Sequence, residues 1–340
     1  MRGQTRTTSS RVVMKMSVSL ATALFSSALV AAIEPVRAQS AGSYPARPVR
    51  FIVPFAPGGG TDIVARTIGA GLSELWGQQV IADNRPGAST LIGIDLTAKA
   101  PPDGHTIVLA TTSYGINAAW GKKLPYDALR DLAFITQAAS LDFVITTHPS
   151  LPARSVKEFI ALAKAKPGAL NYGSPGSGSG SHMVVEKFQM LTGIKSIHIP
   201  YKGSAPALTD LIGGQTQYMI VTILPVAPHL KSGRLRALAT TGPRRSRLLR
   251  DVPTVVEAGV PDYVTTSWSG VMAPAATPAD IRDKIYRDVL KVLAMPPIRQ
   301  RLEADGGDVV GSTPDEFTAL IREEIATWTK VIKAAGLRPE

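Results

Sequence analysis

The chain has 340 residues, a formal net charge of +11 at pH 7 and no cysteine, which excludes disulfides, thiolate metal sites and a cysteine nucleophile. Its five histidines, at 105, 148, 182, 198 and 229, lack metal-binding spacing, so we expect no metal. The densest basic cluster, from Arg244 to Arg250, has no interleaved aromatic residues. Nucleic-acid binding is therefore not expected, and a solvated loop is the better interpretation.

The first 38 residues have the pattern of a secretory signal peptide. Basic residues up to Lys15 precede an uncharged stretch of small and apolar residues, 16–33, and Val36 and Ala38 stand at −3 and −1 of a cleavage site before Gln39. A membrane anchor is the alternative, but Ser, Thr and Ala make this stretch only weakly hydrophobic. We expect cleavage and export to a periplasm, where a chain without disulfides is ordinary.

After the signal, predicted strands and helices alternate. "VRFIVPF" (49–55) predicts a buried strand, and residues 61–75 predict a helix with one apolar face. "QQVIADN" predicts a strand, "PGAST" a turn, "LIGIDLTAKA" a helix that ends before Pro101, and "HTIVLATTS" another buried strand. Such repeats predict an α/β fold with a largely parallel sheet and helices on both faces.

A second series begins at Ser155, which with Glu158 predicts a capping box for a helix ending at Lys166. "ALNYGS", "KSIHIP", "QYMIVTIL" and "LRALATT" predict strands, separated by helices over "HMVVEKFQMLTG", "APALTDLIGG" and "VAPHLKSG". Helices return at 279–293 and 315–335. The two series predict two similar lobes, 44–145 plus 268–340 and 146–267, with crossings near 142–148 and 264–272.

Four turns from strand to helix are rich in glycine and hydroxyl residues: 54–62, 111–115, 174–182 and 201–205. In doubly wound sheets, ligands bind where strands end and helices begin. The free N–H groups and the positive end of a helix dipole favour an anion there. Two of the turns belong to each predicted lobe, so together they predict an anion site between the lobes.

Two kinds of chemistry do not match these turns. A phosphate loop needs Gly-Lys-Ser/Thr, but Thr61 and Asp62 follow the glycines, and no turn completes a dinucleotide fingerprint. We therefore expect no nucleotide cofactor. No serine of 174–181 lies in a G-x-S-x-G elbow, and His182 is more simply interpreted as a helix-start hydrogen-bonding residue than as a base. Binding without chemistry is favoured, and an exported enzyme acting on a carboxylate or ester is the alternative.

Several segments, in order along the chain, resemble one family. They include "YPARPVRFIVPFAPGGGTDIVAR", "DNRPGA", "APPDGHTIVLATTS", "ALNYGSPGSGSGSH", "IHIPYKGSAPALTDLIGGQ" and "LRDVPTVVEAG". This set is similar to the Bug-type substrate-binding proteins of tripartite tricarboxylate transporters, over residues 44–335. The resemblance implies a two-lobed periplasmic-binding-protein fold of the Venus flytrap, type II-like kind, each lobe a sheet flanked by helices. It implies a monomer, not an enzyme, that captures a small carboxylic acid and delivers it to membrane subunits of a transporter.

The resemblance also implies which residues bind the ligand, partly through ordered water. The first three turns would grip the carboxylate, the fourth would line the opposite wall, and position 221 would flank the ligand. The implied residues are Phe55, Pro57, Gly58, Gly59, Gly60, Thr61, Asp62, Thr111, Thr112, Ser113, Ser174, Gly176, Ser177, Gly178, Ser179, Ser181, Tyr201, Lys202, Gly203, Ser204, Ala205 and Val221.

The chain departs from the family pattern after "GGQ". Many members have acidic residues in the following strand, and here Gln217 and Val221 replace them. Without an acid, a ligand ammonium has no natural partner and is costly to bury. We therefore predict a carboxylic acid without an amine, with an aliphatic or aromatic body. Lys202 is a nearby cation for a second carboxylate, and a solvated loop lysine is the alternative.

Overall fold

The computed structural model describes residues 44–121, 123–304, 307–334 and 336, so the predicted signal peptide lies outside the described residues. The strands found there are β1 (Val49–Val53), β2 (Val80–Asn84), β3 (Thr106–Thr111), β4 (Leu132–Thr147), β5 (Asn171–Ser174), β6 (Ile197–Pro200), β7 (Tyr218–Thr222), β8 (Arg236–Thr240), β9 (Thr266–Pro274) and β10 (Gly307–Val309). The helices are α1 (Gly60–Trp76), α2 (Leu91–Ala98), α3 (Ser113–Ala119), α4 (Val156–Ala165), α5 (Gly180–Thr192), α6 (Ser204–Ile212), α7 (Ile223–Lys231), α8 (Ala279–Ala294), α9 (Pro296–Ala304) and α10 (Pro314–Ala334).

The strands form two ladders that share β4. We call β2-β1-β3-β9-β4, with β10 on the other edge of β4, the first sheet. We call β4-β7-β5-β6, with β8 also paired to β4, the second sheet. Within β4, residues 132–142 pair with β9 and residues 143–147 pair with β7. One strand therefore continues from the first sheet into the second.

The prediction of largely parallel sheets holds at the outer strands and is wrong in the middle. β1 is parallel to β2 and β3, and β5 is parallel to β6 and β7. In contrast, β9 is antiparallel to both β3 and β4, and β4 is antiparallel to β7 and β8. The physical reason is that β4 leads the chain out of the first sheet and β9 leads it back, so the two strands run in opposite directions.

The sequence did not predict β4 as a strand. The register between β4 and β9 shifts at Phe134/Thr136 and again at Gln137/Ala139. Each such bulge places an extra residue in one strand and interrupts the regular alternation of side chains. A strand with two bulges lacks the period of two that identifies a half-buried strand in a sequence.

Helices cover both faces of each sheet. In β1, alternation places Phe51 in a cluster with α1 and α8, and Ile52 in a cluster with Phe317 of α10. In the second sheet, Tyr218 packs with α4 and α5, whereas Met219 packs with α6 and α7. Burial of both strand faces explains why β1, β3 and β7 are nearly continuous hydrophobic runs.

The predicted helix ends agree with the structure to within two residues, except at the start of α7. The Ser155 hydroxyl accepts from the Glu158 N–H at 3.1 Å, and the Glu158 carboxylate accepts from the Arg154 N–H at 2.6 Å. Gly193, with φ 70°, ends α5 in the left-handed conformation. Helix α7 begins at Ile223, two residues inside the predicted strand, because β7 stops at Thr222.

The described helices differ from membrane-spanning helices in length or in apolar character. The longest, α10, has 21 residues, but it carries charged residues along its length. Within the described residues, none of the helices combines the length and the apolar character needed to cross a membrane.

Candidate ligand-binding cleft

The N-terminal ends of five helices meet at one cleft of about 50 Å³. Helices α1 and α3 follow strands of the first sheet, and α5, α6 and α7 follow strands of the second sheet. The first residues or caps of all five helices line the cleft. The lining residues are Phe55, Gly60, Thr61, Thr111, Thr112, Ser113, Phe143, Pro175, Ser179, Gly180, Ser181, Ser204, Val221, Thr222 and Ser267.

The cleft is polar but uncharged. Nine of the fifteen lining residues carry hydroxyl groups, and among the described residues none that lines it is ionisable at neutral pH. The first N–H groups of each helix have no partner within the helix, and the helix dipoles add partial positive charge. Hydroxyls and N–H groups can all donate to a carboxylate. The arrangement therefore favours an anion without supplying a formal countercharge.

Glycines allow the two sides of the cleft to approach closely. Gly59 has φ −83° and ψ 170°, which any residue adopts, so its importance is space rather than backbone freedom. A Cβ at Gly59 would lie 2.5 Å from the Ser204 Oγ, and one at Gly60 would lie 2.8 Å from the Thr222 Oγ1. The Gly180 N–H also donates to the Ser113 hydroxyl at 3.3 Å. Contacts between the two sides of the cleft therefore depend on glycines, which have no side chain to keep the two sides apart.

Asp62 supports the glycine-rich loop instead of lining the cleft. Its carboxylate is buried and accepts hydrogen bonds from the Gly58 N–H, the Arg66 guanidinium and the Asn84 amide, each about 2.9 Å long. Burial by itself raises the pKa of Asp62, but the hydrogen bonds from Arg66, Gly58 and Asn84 outweigh it and hold the pKa below its usual value. The negative charge is therefore matched by Arg66 and does not oppose an anion in the cleft.

Ten of the predicted site residues, including Val221, line this cleft, and the others lie nearby. Gly176, Ser177, Tyr201 and Lys202 line a second cavity of about 520 Å³, which shares Phe55 and Pro175 with the cleft. The remaining predicted residues line neither of these two spaces. Pro57 is exposed, and Ser174 is hydrogen-bonded to His198. The three glycines lie against other residues: Gly58 against Ala205, Gly178 against Trp120 and Gly203 against Ala56.

Five lining residues were not predicted individually from the sequence: Phe143, Pro175, Gly180, Thr222 and Ser267. Pro175 and Gly180 fall inside the predicted turn 174–182. Thr222 ends β7 directly before α7, so the same strand-to-helix rule would have found it with the correct helix start. Phe143 and Ser267 lie on β4 and β9, and no local sequence motif marks them.

The two positions where family acids are replaced have different environments. Val221 lines the cleft. Gln217 lies directly before β7, where its side-chain carbonyl accepts from the Asn171 N–H at 2.8 Å. Of these two positions, only that of Val221 borders the cleft.

His182 is held in a structural arrangement. Its Nδ1 accepts from the Gly178 N–H at 3.0 Å, and its ring stacks on Trp120 and His198, with centroid distances of 5.6 and 4.1 Å. An accepting Nδ1 places the proton on Nε2 in the neutral ring. In the described part of the chain, no three His, Asp or Glu side chains group in a way that would hold a metal ion.

Two α/β sheets that share β4, with helix N-termini converging between them, define the class of two-lobed periplasmic binding proteins. The family model described as "Tripartite tricarboxylate transporter family receptor" matches residues 64–337. The chain belongs to this receptor family, so the resemblance and the two-lobed fold predicted from the sequence are confirmed.

Individual relatives agree over most of their length. The chain is 38% identical to the protein BugT of Bordetella pertussis over 301 residues, 88% of this chain and 92% of BugT. It is similar to the structure of R. palustris Rpa4515 with adipate, with a TM-score of 0.85 and 36% identity over 87% of this chain and 100% of that one. MatC (Rpa3494) from Rhodopseudomonas palustris with bound malate has a TM-score of 0.82 and 31% identity, covering 85% of this chain and 100% of MatC.

Proposed function

We propose that this receptor captures a small carboxylate without an amine between its lobes and delivers it to membrane subunits of a transporter. The convergence of five helix N-termini on an uncharged, hydroxyl-lined cleft carries the proposal. The adipate and malate bound to its relatives Rpa4515 and MatC support the same ligand class. The residues that line the cleft are the proposed ligand-binding residues.

The lining residues also determine which ligand groups are disfavoured. An ammonium group would enter a cleft that has no carboxylate among its lining residues and has helix N-termini directed at it. Burying an unpaired charge there is costly, and the positive helix ends add repulsion. Amino acids are therefore poor ligands in this proposal.

The protein is proposed to bind its ligand without converting it. The lining residues provide hydroxyls but no His, Lys, Asp or Glu that could serve as a general base. An exported enzyme acting on a carboxylate or ester is the competing proposal. One experiment distinguishes the two proposals. After long incubation with the protein, a receptor returns its ligand unchanged and an enzyme does not.

The proposed lobes are residues 44–145 plus 268–340 and residues 146–267. The change of partner within β4 at residues 142–143, and the start of β9 at Thr266, support these crossings. The receptor is proposed to act as a monomer. We propose that ligand binding involves neither a metal nor a cofactor.

Ligand class is tested by a thermal-shift panel of monocarboxylates, dicarboxylates, tricarboxylates, aromatic acids and amino acids. A ligand present at about 100 times its dissociation constant stabilises a protein by about 2.7 kcal/mol, which is a clear shift in melting temperature. We expect stabilisation by acids without an amine. Stabilisation by amino acids alone would contradict the ligand class, and no response to any carboxylate would contradict the site.

Export is proposed from the signal pattern of residues 1–38. Mass spectrometry of the protein recovered from a periplasmic fraction is expected to show a mature N-terminus at or near Gln39. A full-length product retained in the membrane fraction would show that the segment is an anchor instead.

A further inference from the structure

The turn from β5 into α5 supplies much of the cleft lining. Ser179, Gly180 and Ser181, at or just before the start of α5, line the cleft. The Ser179 hydroxyl caps the helix by accepting from the His182 N–H at 3.2 Å, and the Ser179 N–H donates to the Gly176 carbonyl at 3.0 Å. The hydroxyl and N–H groups of α5 that face the cleft therefore lie where this turn places them.

The His182 ring holds this turn. The buried ring accepts from the Gly178 N–H through Nδ1 at 3.0 Å and stacks on Trp120, with ring centroids 5.6 Å apart. In a capping box, Glu or Gln at the third helical position accepts from the N–H of the cap residue. His182 stands at that third position and accepts from the residue before the cap, so an imidazole takes the place of the usual carboxylate or amide.

An imidazole differs from a carboxylate or an amide in this position because protonation removes its acceptor. A neutral ring with an accepting Nδ1 carries its proton on Nε2, whereas the charged ring carries a proton on each nitrogen. Protonation of His182 therefore sets an Nδ1–H against the Gly178 N–H, so that two donors face each other where a hydrogen bond stood. Unpaired buried donors are unfavourable, and the turn has to move to relieve them.

Three titratable side chains among the described residues face the His182 ring from its own helix and from β5 and β6. Glu186, one turn along α5, has its Oε1 3.8 Å from the His182 Nε2 and accepts from the Tyr172 hydroxyl at 2.6 Å. The His198 ring stacks on the His182 ring, with centroids 4.1 Å apart. Glu186 also borders a surface cavity of about 560 Å³ together with Lys195, so the cluster can exchange protons with solvent.

We propose that His182 is a positioning residue of the receptor, whose neutral ring holds the turn that presents Ser179 to Ser181 and whose protonation releases that turn. This inference rests on the proposed function and adds a pH dependence to it: carboxylate affinity falls when His182 becomes charged. Glu186 favours the first proton on His182, and the stacked His198 then stays neutral because two adjacent positive charges repel. Glu186 also compensates the new charge, so the loss of ordered donors outweighs the added attraction for an anion.

The test is titration calorimetry with adipate and malate at pH 7.5 and 5.5, two values on either side of about 6.5, where an ordinary histidine titrates. Wild-type affinity is expected to fall about fivefold or more between them. His182→Asn keeps an acceptor for the Gly178 N–H and does not titrate. Its affinity is expected to lie within about threefold of wild type at pH 7.5 and to show no such fall, with any effect of ligand ionisation common to both proteins.

Two further variants separate the hydrogen bond from the titration. His182→Leu removes the acceptor at every pH, so its affinity is expected to be low at both pH values. His148→Asn is the matched control, because His148 lies directly after β4, where its Nδ1 contacts the Ser150 hydroxyl at 2.7 Å, and it does not line the cleft. It should show the wild-type fall.

An equal fall in the wild type and in His182→Asn would place the titrating group elsewhere and overturn the positioning role, as would a wild-type affinity that stays level. Both outcomes leave the proposed function standing. If the wild type binds neither these acids nor any other member of the carboxylate panel, the proposed function fails and the positioning role fails with it. Urea unfolding checks that each variant is folded; if His182→Leu is not, the comparison between the wild type and His182→Asn still decides.

Discussion

Replacing Gly59 by valine is expected to weaken ligand binding at least about 100-fold and to change the free energy of unfolding by less than about 1 kcal/mol. The backbone at Gly59 is extended, so valine introduces no left-handed strain. Its side chain instead meets Ser204 across the cleft, where even a Cβ would lie 2.5 Å from the Oγ. The collision is between the two sides of the cleft, so it opposes closure without disrupting either hydrophobic core.

Two measurements separate closure from folding. Titration calorimetry gives the affinity, and solution scattering with saturating ligand is expected to show a smaller radius of gyration for the wild type and no change for Gly59→Val. Gly213→Val is the matched control, because Gly213 ends α6 with an ordinary φ of −77° and its Cβ would have only normal contacts. Wild-type binding by Gly59→Val would show that the loop is merely a turn.

Replacing Glu324 by glutamine is expected to stabilise the protein at alkaline pH by an amount on the order of a few kcal/mol. Glu324 of α10 faces α3, where a Cβ at Gly115 would lie 2.6 Å from its Oε2. Burial raises the pKa of Glu324 from 4.5 to about 8, although the neighbouring polar groups of Trp268, Trp328 and Thr112 oppose the rise. The folded protein therefore keeps this carboxyl protonated at neutral pH.

The direction in which stability changes with pH follows from the higher pKa of Glu324 in the folded protein than in the unfolded chain. Between pH 4.5 and about 8, the unfolded chain releases the Glu324 proton and the folded protein retains it, so stability falls as pH rises through this window. Glutamine does not titrate, so urea unfolding of Glu324→Gln should lose less stability over the same range. Glu323→Gln, at the exposed neighbour on α10, is the control. Parallel pH profiles for the wild type and Glu324→Gln would contradict the assignment.

The same carboxyl should influence the ligand. Thr112 lines the cleft and adjoins Glu324, so ionisation above about pH 8 places a negative charge directly behind the anion site. Carboxylate affinity is expected to fall above that pH in the wild type and to remain level in Glu324→Gln. A Glu323→Gln variant again serves as the comparison.

Local patterns were sufficient to predict much of the site. Gly59 to Thr61, Ser113 and Ser181 stand where a strand ends and a helix begins, and this can be recognised from a dozen neighbouring residues. Phe143 and Ser267 could not be predicted in this way. They enter the cleft because β4 passes from the first sheet into the second and β9 begins beside that crossing, and this depends on pairing between β4 and β9 residues more than 120 positions apart.

The surroundings of the charged residues could also be predicted only in part. The partner of Asp62 is Arg66, four residues along the same helix, a spacing that a sequence can show. The burial of Glu324 against Gly115 and the location of Lys202 in a separate cavity depend on tertiary packing. Sequence patterns therefore predicted the residues that line the cleft more fully than the residues packed around it.

The continuity of β4 through both sheets has a mechanical consequence. Sliding one sheet past the other would break the ladder that β4 makes with β9 in the first sheet and with β7 in the second. Bending β4 and β9 near residues 142–143 and 266 preserves those hydrogen bonds and changes only a few backbone dihedral angles. In the proposed ligand capture, opening by such a bend would return the helix N-termini on the two sides to the same alignment.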